Sequence, residues 1–242
     1  MFSTLVAIVG MIAGAVAAVA GFGVGSLLTP LLALQIGTKV AVAAVSIPHL
    51  LGTLFRFWML RTHIDRRVLW SFGLTSAAGG LVGALLHSRA DNPLLTLVLA
   101  GLLILAGAMG LTGLAHMLEF RGAAAWVAGA VSGGFGGLVG NQGGIRSAAM
   151  MGLKVPRDAF IATATAIALM VDGARVPVYV MTGSHELWQA WPLMVAAAGG
   201  VILGTIIGGR VLALIPERIF RRVVAAIILT LGIWMFWRGI RL

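Results

Sequence analysis

Two polar clusters and a lone histidine interrupt an otherwise apolar chain, and each has residue types that could do chemistry. In "AIALMVDGARVPVYVM", Asp172 and Arg175 stand near the centre of the apolar stretch 159–182. Their i,i+3 spacing puts both on one face of a helix, close enough to pair. A charge at mid-membrane depth costs about 2.5–3.5 kcal/mol on insertion scales. The pair therefore has two readings: a self-neutralised structural ion pair, or groups lining a path, with Asp172 orienting Arg175 or acting as a protonatable switch.

In "GGLVGNQGGIRSAAM", residues 137–151, Arg146 has no acidic residue nearby in sequence. It lies just after "NQGG", near the start of a short apolar helix. The first turn of a helix offers free N–H groups and a partial positive charge, which together favour an anion. Gly143 and Gly144 let a ligand approach the backbone, Asn141 and Gln142 supply amide donors, and Ser147 supplies a hydroxyl. Arginine adds a planar fork suited to carboxylate, sulfonate or phosphate oxygens. The competing reading has Arg146 snorkelling to the interface while the amides cap a helix; an anion site is the expectation.

A partner stretch, "AGFGVGSLLTPLLAL", offers the backbone of Gly21, Gly23 and Gly25 with the hydroxyls of Ser26 and Thr29. Pro30 suits the first turn of the helix that follows. It is expected to form the other half of a shared cavity. His49, in "VSIPHLLGTLFRFW", is either a proton carrier, because imidazole titrates near physiological pH, or a packing residue. Asp172 and His49 are the candidates for proton coupling. Arg56, near the end of its segment, is expected to snorkel.

The elements that must hold these residues are membrane helices. The chain has 242 residues, of which 60% are hydrophobic and 10% charged. Soluble domains run about 45–50% and about 25%, and the mean hydropathy here is +1.05. With about 20 apolar residues per crossing, the sequence holds about eight hydrophobic helical elements and little else. The net charge of +10 sits mainly in short loops flanking apolar runs, as membrane topology requires, so no nucleic-acid partner is inferred. With no cysteine, disulfides, thiolate metal sites and cysteine nucleophiles are excluded. Neither a phosphate-binding P-loop nor an HExxH or His/Asp cluster is present, so no cofactor, metal or enzymatic activity is expected. The N-terminal stretch lacks a basic n-region and reads as the first membrane segment rather than a cleavable signal.

Apolar segments run over 3–20, 26–36, 40–60, 68–87, 94–115, 123–140, 143–153, 159–182, 187–209 and 219–237. The two short ones each follow a longer segment across a glycine cluster. Glycine costs about 1 kcal/mol relative to alanine inside a helix, so each cluster predicts a broken or re-entrant element. An offset of 119 residues carries Gly14 onto Gly133, Gly21 onto Gly140, Gly25 onto Gly144, Ser46 onto Thr165 and Arg56 onto Arg175. We expect two related halves, 1–119 and 120–242, a common transporter design. Arg56, Arg61, Arg66 and Arg67, Lys154 and Arg157, and Arg218, Arg221 and Arg222 put their loops inside, while "GSHEL" at 183–187 reads as outside. Loops 116–121 and 154–158 then fall on the same side, which a re-entrant hairpin allows and which inverts the halves; Arg238 and Arg241 end outside, against the rule.

The motifs "AGFGVGSLLTP" and "SGGFGGLVGNQGG", each followed by a short helix and then "VAAVS" or "IATAT", resemble the sulfite exporter TauE/SafE family, also called the 4-toluene sulfonate uptake permeases. The resemblance spans essentially the whole chain. It implies a secondary transporter of sulfite, sulfonates, sulfoacetate or other organic anions, driven by an ion gradient. The second half departs from the family pattern, with Arg146 in the apolar stretch and Ala149 where proline is expected, which suggests more specific oxyanion coordination.

The reading is thus an all-α polytopic membrane protein of two related, inverted halves, each opening with a Gly-broken element, in a bacterial inner membrane. Arg146, Asn141, Gln142, Gly143, Gly144 and Ser147 would hold an oxyanion, with Arg175 nearby and Gly21, Gly23, Gly25 and Ser26 opposite. Expected partners are a small anion, a proton or Na+ as coupling ion, the bilayer and a second copy of the chain as a homodimer. An uncoupled anion channel using the same residues is the main alternative; an intramembrane enzyme or assembly subunit is a third.

Overall fold

Glycines decide where these helices stop. The computed structural model describes residues 1–114, 122–151, 157–211 and 217–241, and those residues form helices and short connections with no strand. Lys154 and the 116–121 loop, used above to orient the chain, lie outside the described residues. Helix α1 (Phe2–Ala20) ends at Gly21, whose φ of 76° needs a residue without a side chain. Helix α2 (Val24–Leu60) follows, interrupted at Gly37 (φ 73°, ψ 159°). The break frees the amide of Lys39, and Asn92 Oδ1 accepts it at 2.8 Å.

A short helix α3 (Arg66–Val68), a π-helical turn and α4 (Leu74–Arg89) make one span, Arg66–Arg89. Asp65 caps it by accepting from the amides of Arg67 and Val68. Asp91 caps α5 (Asn92–Thr112) by accepting from Leu94 N–H at 3.0 Å, and Gly113 ends it in the left-handed region. In the second half come α6 (Ala123–Val139), α7 (Gly143–Met151), α8 (Arg157–Thr182), α9 (Ser184–Gln189), α10 (Trp191–Val211) and α11 (Glu217–Gly239). Seven helices among the described residues are long and apolar enough to cross a membrane, and α6 is a shorter apolar one. The apolar run 187–209 is thus divided: α9 stands apart, and the long helix starts only at Trp191.

The helices pack in exchanged pairs. Helix α1 lies on α10, α6 lies on α4, and α2 lies on α8 and α10, as α8 lies on α4 and α2; α5 pairs with α11. Lipid tails give no hydrophobic drive for helix association, so close backbone packing of small residues must supply it. Gly200, Gly204 and Gly208 of α10 sit directly on the backbone of Ala7, Met11 and Ala15 of α1. Gly133 and Gly137 of α6 sit likewise on Ser76 and Gly80 of α4. A methyl group at any of these positions would strike backbone. Large apolar side chains such as Leu5, Ile8, Ile12 and Val127 face outward, while the buried positions include arginines, amides and hydroxyls. Trp58, Trp70, Trp188, Trp191, Trp234 and Trp237 are all exposed near helix ends. Arg241 lies over the Trp237 ring at 4.4 Å, and Arg238 reaches the carbonyl of Ala33 at 3.4 Å, just ahead of the Gly37 break.

Candidate functional site

The two helix breaks share one local geometry. Gly21 (φ 76°) donates its N–H to Ala17 O at 3.0 Å, and Gly140 (φ 72°) donates to Gly136 O at 3.0 Å. The new helices restart alike, Leu27 N–H to Gly23 O at 3.1 Å and Arg146 N–H to Gln142 O at 3.0 Å. The breaks lie against each other. Ser26 Oγ donates to Asn141 Oδ1 at 3.3 Å, and Arg146 Nη2 donates to Gly21 O at 3.0 Å. Gly25 abuts the carbonyl of Gly140, and Gly143 abuts the Phe22 side chain, with no room for a Cβ in either place. Gly21, Gly25, Ser26, Asn141, Gly143 and Arg146 are therefore gathered at one spot. Gln142 belongs to the same break, where its carbonyl accepts from Ser132 at 3.2 Å. Gly23 packs back on Val16 of α1 instead, and Gly144 falls within the first turn of α7.

Many polar atoms at this junction are buried without a hydrogen-bond partner: Asn141 Nδ2, both amide atoms of Gln142, Arg146 Nε and Nη1, Ser147 Oγ and Thr29 Oγ1. A buried polar group left unpaired costs about 1–3 kcal/mol, and more when charged. Arg146 is 2% exposed, so it does not snorkel to the interface. Among the described residues, the one acceptor of its side chain is a backbone carbonyl of the opposite break.

Asp172, wholly buried on α8, is the hub of a second cluster. Arg175 donates to its Oδ1 from Nε at 2.9 Å and Nη2 at 2.8 Å, and His49 Nδ1 meets its Oδ2 at 2.7 Å. The sequence pairing of Asp172 with Arg175 is thus present, and a histidine 123 positions away joins it. Arg175 Nη1 also donates to Gly136 O at 2.5 Å. The next two carbonyls of α6 are taken too: Tyr179 O–H donates to Gly137 O, and His87 Nδ1 donates to Leu138 O at 2.8 Å. Three side chains thus engage consecutive carbonyls of the helix end that opens the break; Gly136 O also accepts from Gly140 N–H, while Gly137 O and Leu138 O lie where intrahelical partners run out. His87 and Tyr179 pack ring to ring at 4.8 Å and line a cavity of about 300 Å³ with Lys39, Asn92 and Glu186. Sequence reasoning missed both; the available signal was Tyr179 one turn beyond Arg175, the chain's single tyrosine.

Arg56 corrects an expectation. It does not snorkel: it is 4% exposed, and Nη2 donates to Thr53 Oγ1 at 3.2 Å while Nε and Nη1 have no partner. His49, Thr53 and Arg56 recur at helical spacing, so α2 turns all three onto the face that packs on α8 and α10. Thr53 Oγ1 lies 3.4 Å from His49 Nδ1, which links Arg56 to the Asp172 cluster. The surface role falls to Arg61, which donates to the Trp58 carbonyl and lies over the Trp58 ring. Arg146 is within electrostatic reach of Asp172, Arg56 and Arg175. Among the described residues Asp172 is the one buried carboxylate. Three buried guanidinium groups share it.

A model of the family described as "Sulfite exporter TauE/SafE" matches residues 6–235. The chain belongs to the TauE/SafE family. Searches of curated proteins and of solved structures return no match. The TauE/SafE family is one of membrane transporters for sulfite-like anions rather than of enzymes, and its members therefore act on a small anionic substrate in a membrane. The multi-pass helical architecture of this TauE/SafE chain agrees. The departure noted in its second half is structurally central, since Arg146, like the Ser26–Asn141 pair, bridges the two breaks.

Proposed function

We propose that this protein carries anions of the sulfite, sulfonate or sulfoacetate class across a bacterial inner membrane by alternating access, with proton coupling. One observation carries the reading: the buried, unpartnered donors of Arg146, Asn141 and Gln142 at the junction of two helix breaks. Unwound backbone at membrane depth is tolerated where it lines a cavity or is buried in protein, and a half-helix start favours an anion. The bound oxyanion would take its hydrogen bonds from Arg146, Asn141, Gln142 and Ser147, and from the glycine backbone of both breaks. The arginine excess over carboxylate supports an anionic cargo. Arg175, already satisfied by Asp172 and Gly136 O, would hold the break in shape and contribute its charge to the site.

Proton coupling would run through His49 and Asp172, whose side chains meet at 2.7 Å. Protonating Asp172 weakens its hold on Arg175, and that would alter the α6 end gripped by Arg175 and Tyr179. The 119-residue correspondence of both breaks, together with the exchanged packing of α1 on α10 and α6 on α4, supports duplicated halves that rock against one another. Inverted halves fit the same pattern. The residues proposed all belong to one chain, so a homodimer would pair two sites.

Sulfite efflux from proteoliposomes tests the reading. Arg146→Ala is expected to reduce flux to background while the protein still purifies as a folded species; full residual transport rejects the anion site. In wild type an imposed pH gradient is expected to drive uptake, and His49→Gln is expected to remove that response. Flux that follows only the anion's own electrochemical gradient would instead make the protein an uncoupled anion channel.

A further inference from the structure

Arg56 is a buried guanidinium that the reading above does not use. Its Nε and Nη1 have no partner, its Nη2 meets only a hydroxyl, and the acid in its cluster, Asp172, is occupied by Arg175 and His49. An uncompensated buried charge is strongly destabilising, so a chain that keeps one needs a use for it. The offset of 119 places Arg56 opposite Arg175 and Thr53 opposite Asp172. Both arginines donate to the residue three positions earlier, at 3.2 Å in one case and 2.9 Å in the other. The second half supplies a carboxylate there; the first supplies a neutral hydroxyl. The cluster is therefore two positive charges in excess, held by Arg56 and Arg146, each with two nitrogen atoms free.

We infer that Arg56 is a second anion-binding residue and that, together with Arg146, it selects oxyanions carrying two negative charges over those carrying one. This rests on the anion-site reading above. Arg146 and the amides hold the oxygens at the breaks, while Arg56 balances the second charge through the Thr53–His49 side of the cluster. Sulfite and an alkylsulfonate present the same three-oxygen head but differ by one charge, so they separate charge selection from shape.

The test is equilibrium binding to the purified full chain in detergent, read by tryptophan fluorescence, with sulfite and methanesulfonate compared at an alkaline pH where sulfite is a dianion. Wild type is expected to bind sulfite at least about tenfold more tightly, a lower bound for one extra charge pair at moderate dielectric once the desolvation of the second charge is set against it. Arg56→Gln is expected to weaken sulfite binding more than methanesulfonate binding and so to erase that preference, and Arg56→Lys to retain most of it. Thr53→Asp gives Arg56 the same kind of partner as Arg175 and is expected to erase the preference in a fold that needs no lost contact to explain it. A wild type without preference overturns the inference, as does a preference intact in Arg56→Gln and Thr53→Asp, or an equal loss for both anions. If Arg146→Gln abolishes binding of both anions in those cases, the anion site stands and only the role of Arg56 falls. If Arg146→Gln changes neither anion's binding, the anion site itself fails, and this inference with it.

Discussion

Arg56 and Arg175 stand 119 residues apart, each donating to the side chain three residues before it. Around Arg175 the chain has placed Asp172, His49 and the carbonyl of Gly136, and every guanidinium nitrogen is engaged. Around Arg56 it has placed a threonine and left two nitrogens idle. The breaks differ in the same sense. The first is glycine, serine and backbone; the second adds Asn141, Gln142 and Arg146. One half thus holds the neutralised pair that stabilises the helix end, and uncompensated positive charge is spread over both halves. The lesson is that a buried charge in a membrane protein has to be judged by its partners rather than by its depth. Arg175 is as buried as Arg146 (1% against 2% exposed), yet only the latter has donors to offer.

The sharpest way to break this comparison is to remove the acid. Asp172→Asn leaves Arg175 and His49 without a carboxylate, and breaking such a buried pair costs about 3–5 kcal/mol. A lowered apparent melting temperature and loss of detergent-stable monodisperse protein are expected on size exclusion. Arg175→Gln should also destabilise, by leaving the buried Asp172 with His49 alone, whereas Arg56→Gln removes a charge with no carboxylate of its own and is expected to leave thermal stability unchanged or improved. Equal destabilisation by the two would erase the contrast between the halves. Next in size is Gly137→Ala, where the added methyl group meets the backbone of α4; overpacking of this kind costs about 1–3 kcal/mol, seen as a lower melting temperature. Tyr179→Phe strips the donor from Gly137 O and should cost about 1–3 kcal/mol through the unpaired carbonyl, with Arg175→Gln and Tyr179→Phe less than additive in the double variant. The smallest effect expected is that of Ser26→Ala. It removes a 3.3 Å bond between the breaks, worth about 0.5–1.5 kcal/mol, and thermal unfolding of the purified protein would measure it.

Much of the architecture was legible in the residues themselves. Apolar runs of spanning length can only be helices in a bilayer, because every backbone polar group must be satisfied within the segment. The glycine clusters at 21–25 and 140–144 marked the breaks, since glycine is both a poor helix former and the residue suited to the left-handed cap seen at Gly21 and Gly140. The pairing of Asp172 with Arg175 followed from i,i+3 spacing alone. These are local properties, decided within a few turns of chain. What only the tertiary structure decided depends on distant elements meeting: His49 reaching Asp172 from α2, Arg146 crossing to the carbonyl of Gly21, Tyr179 and His87 closing on α6, and Arg56 facing inward rather than toward the lipid surface. Helical period fixes which residues share a face, but not which face the neighbouring helices cover, and that choice turned Arg56 from an apparent interface anchor into a buried, unpaired cation.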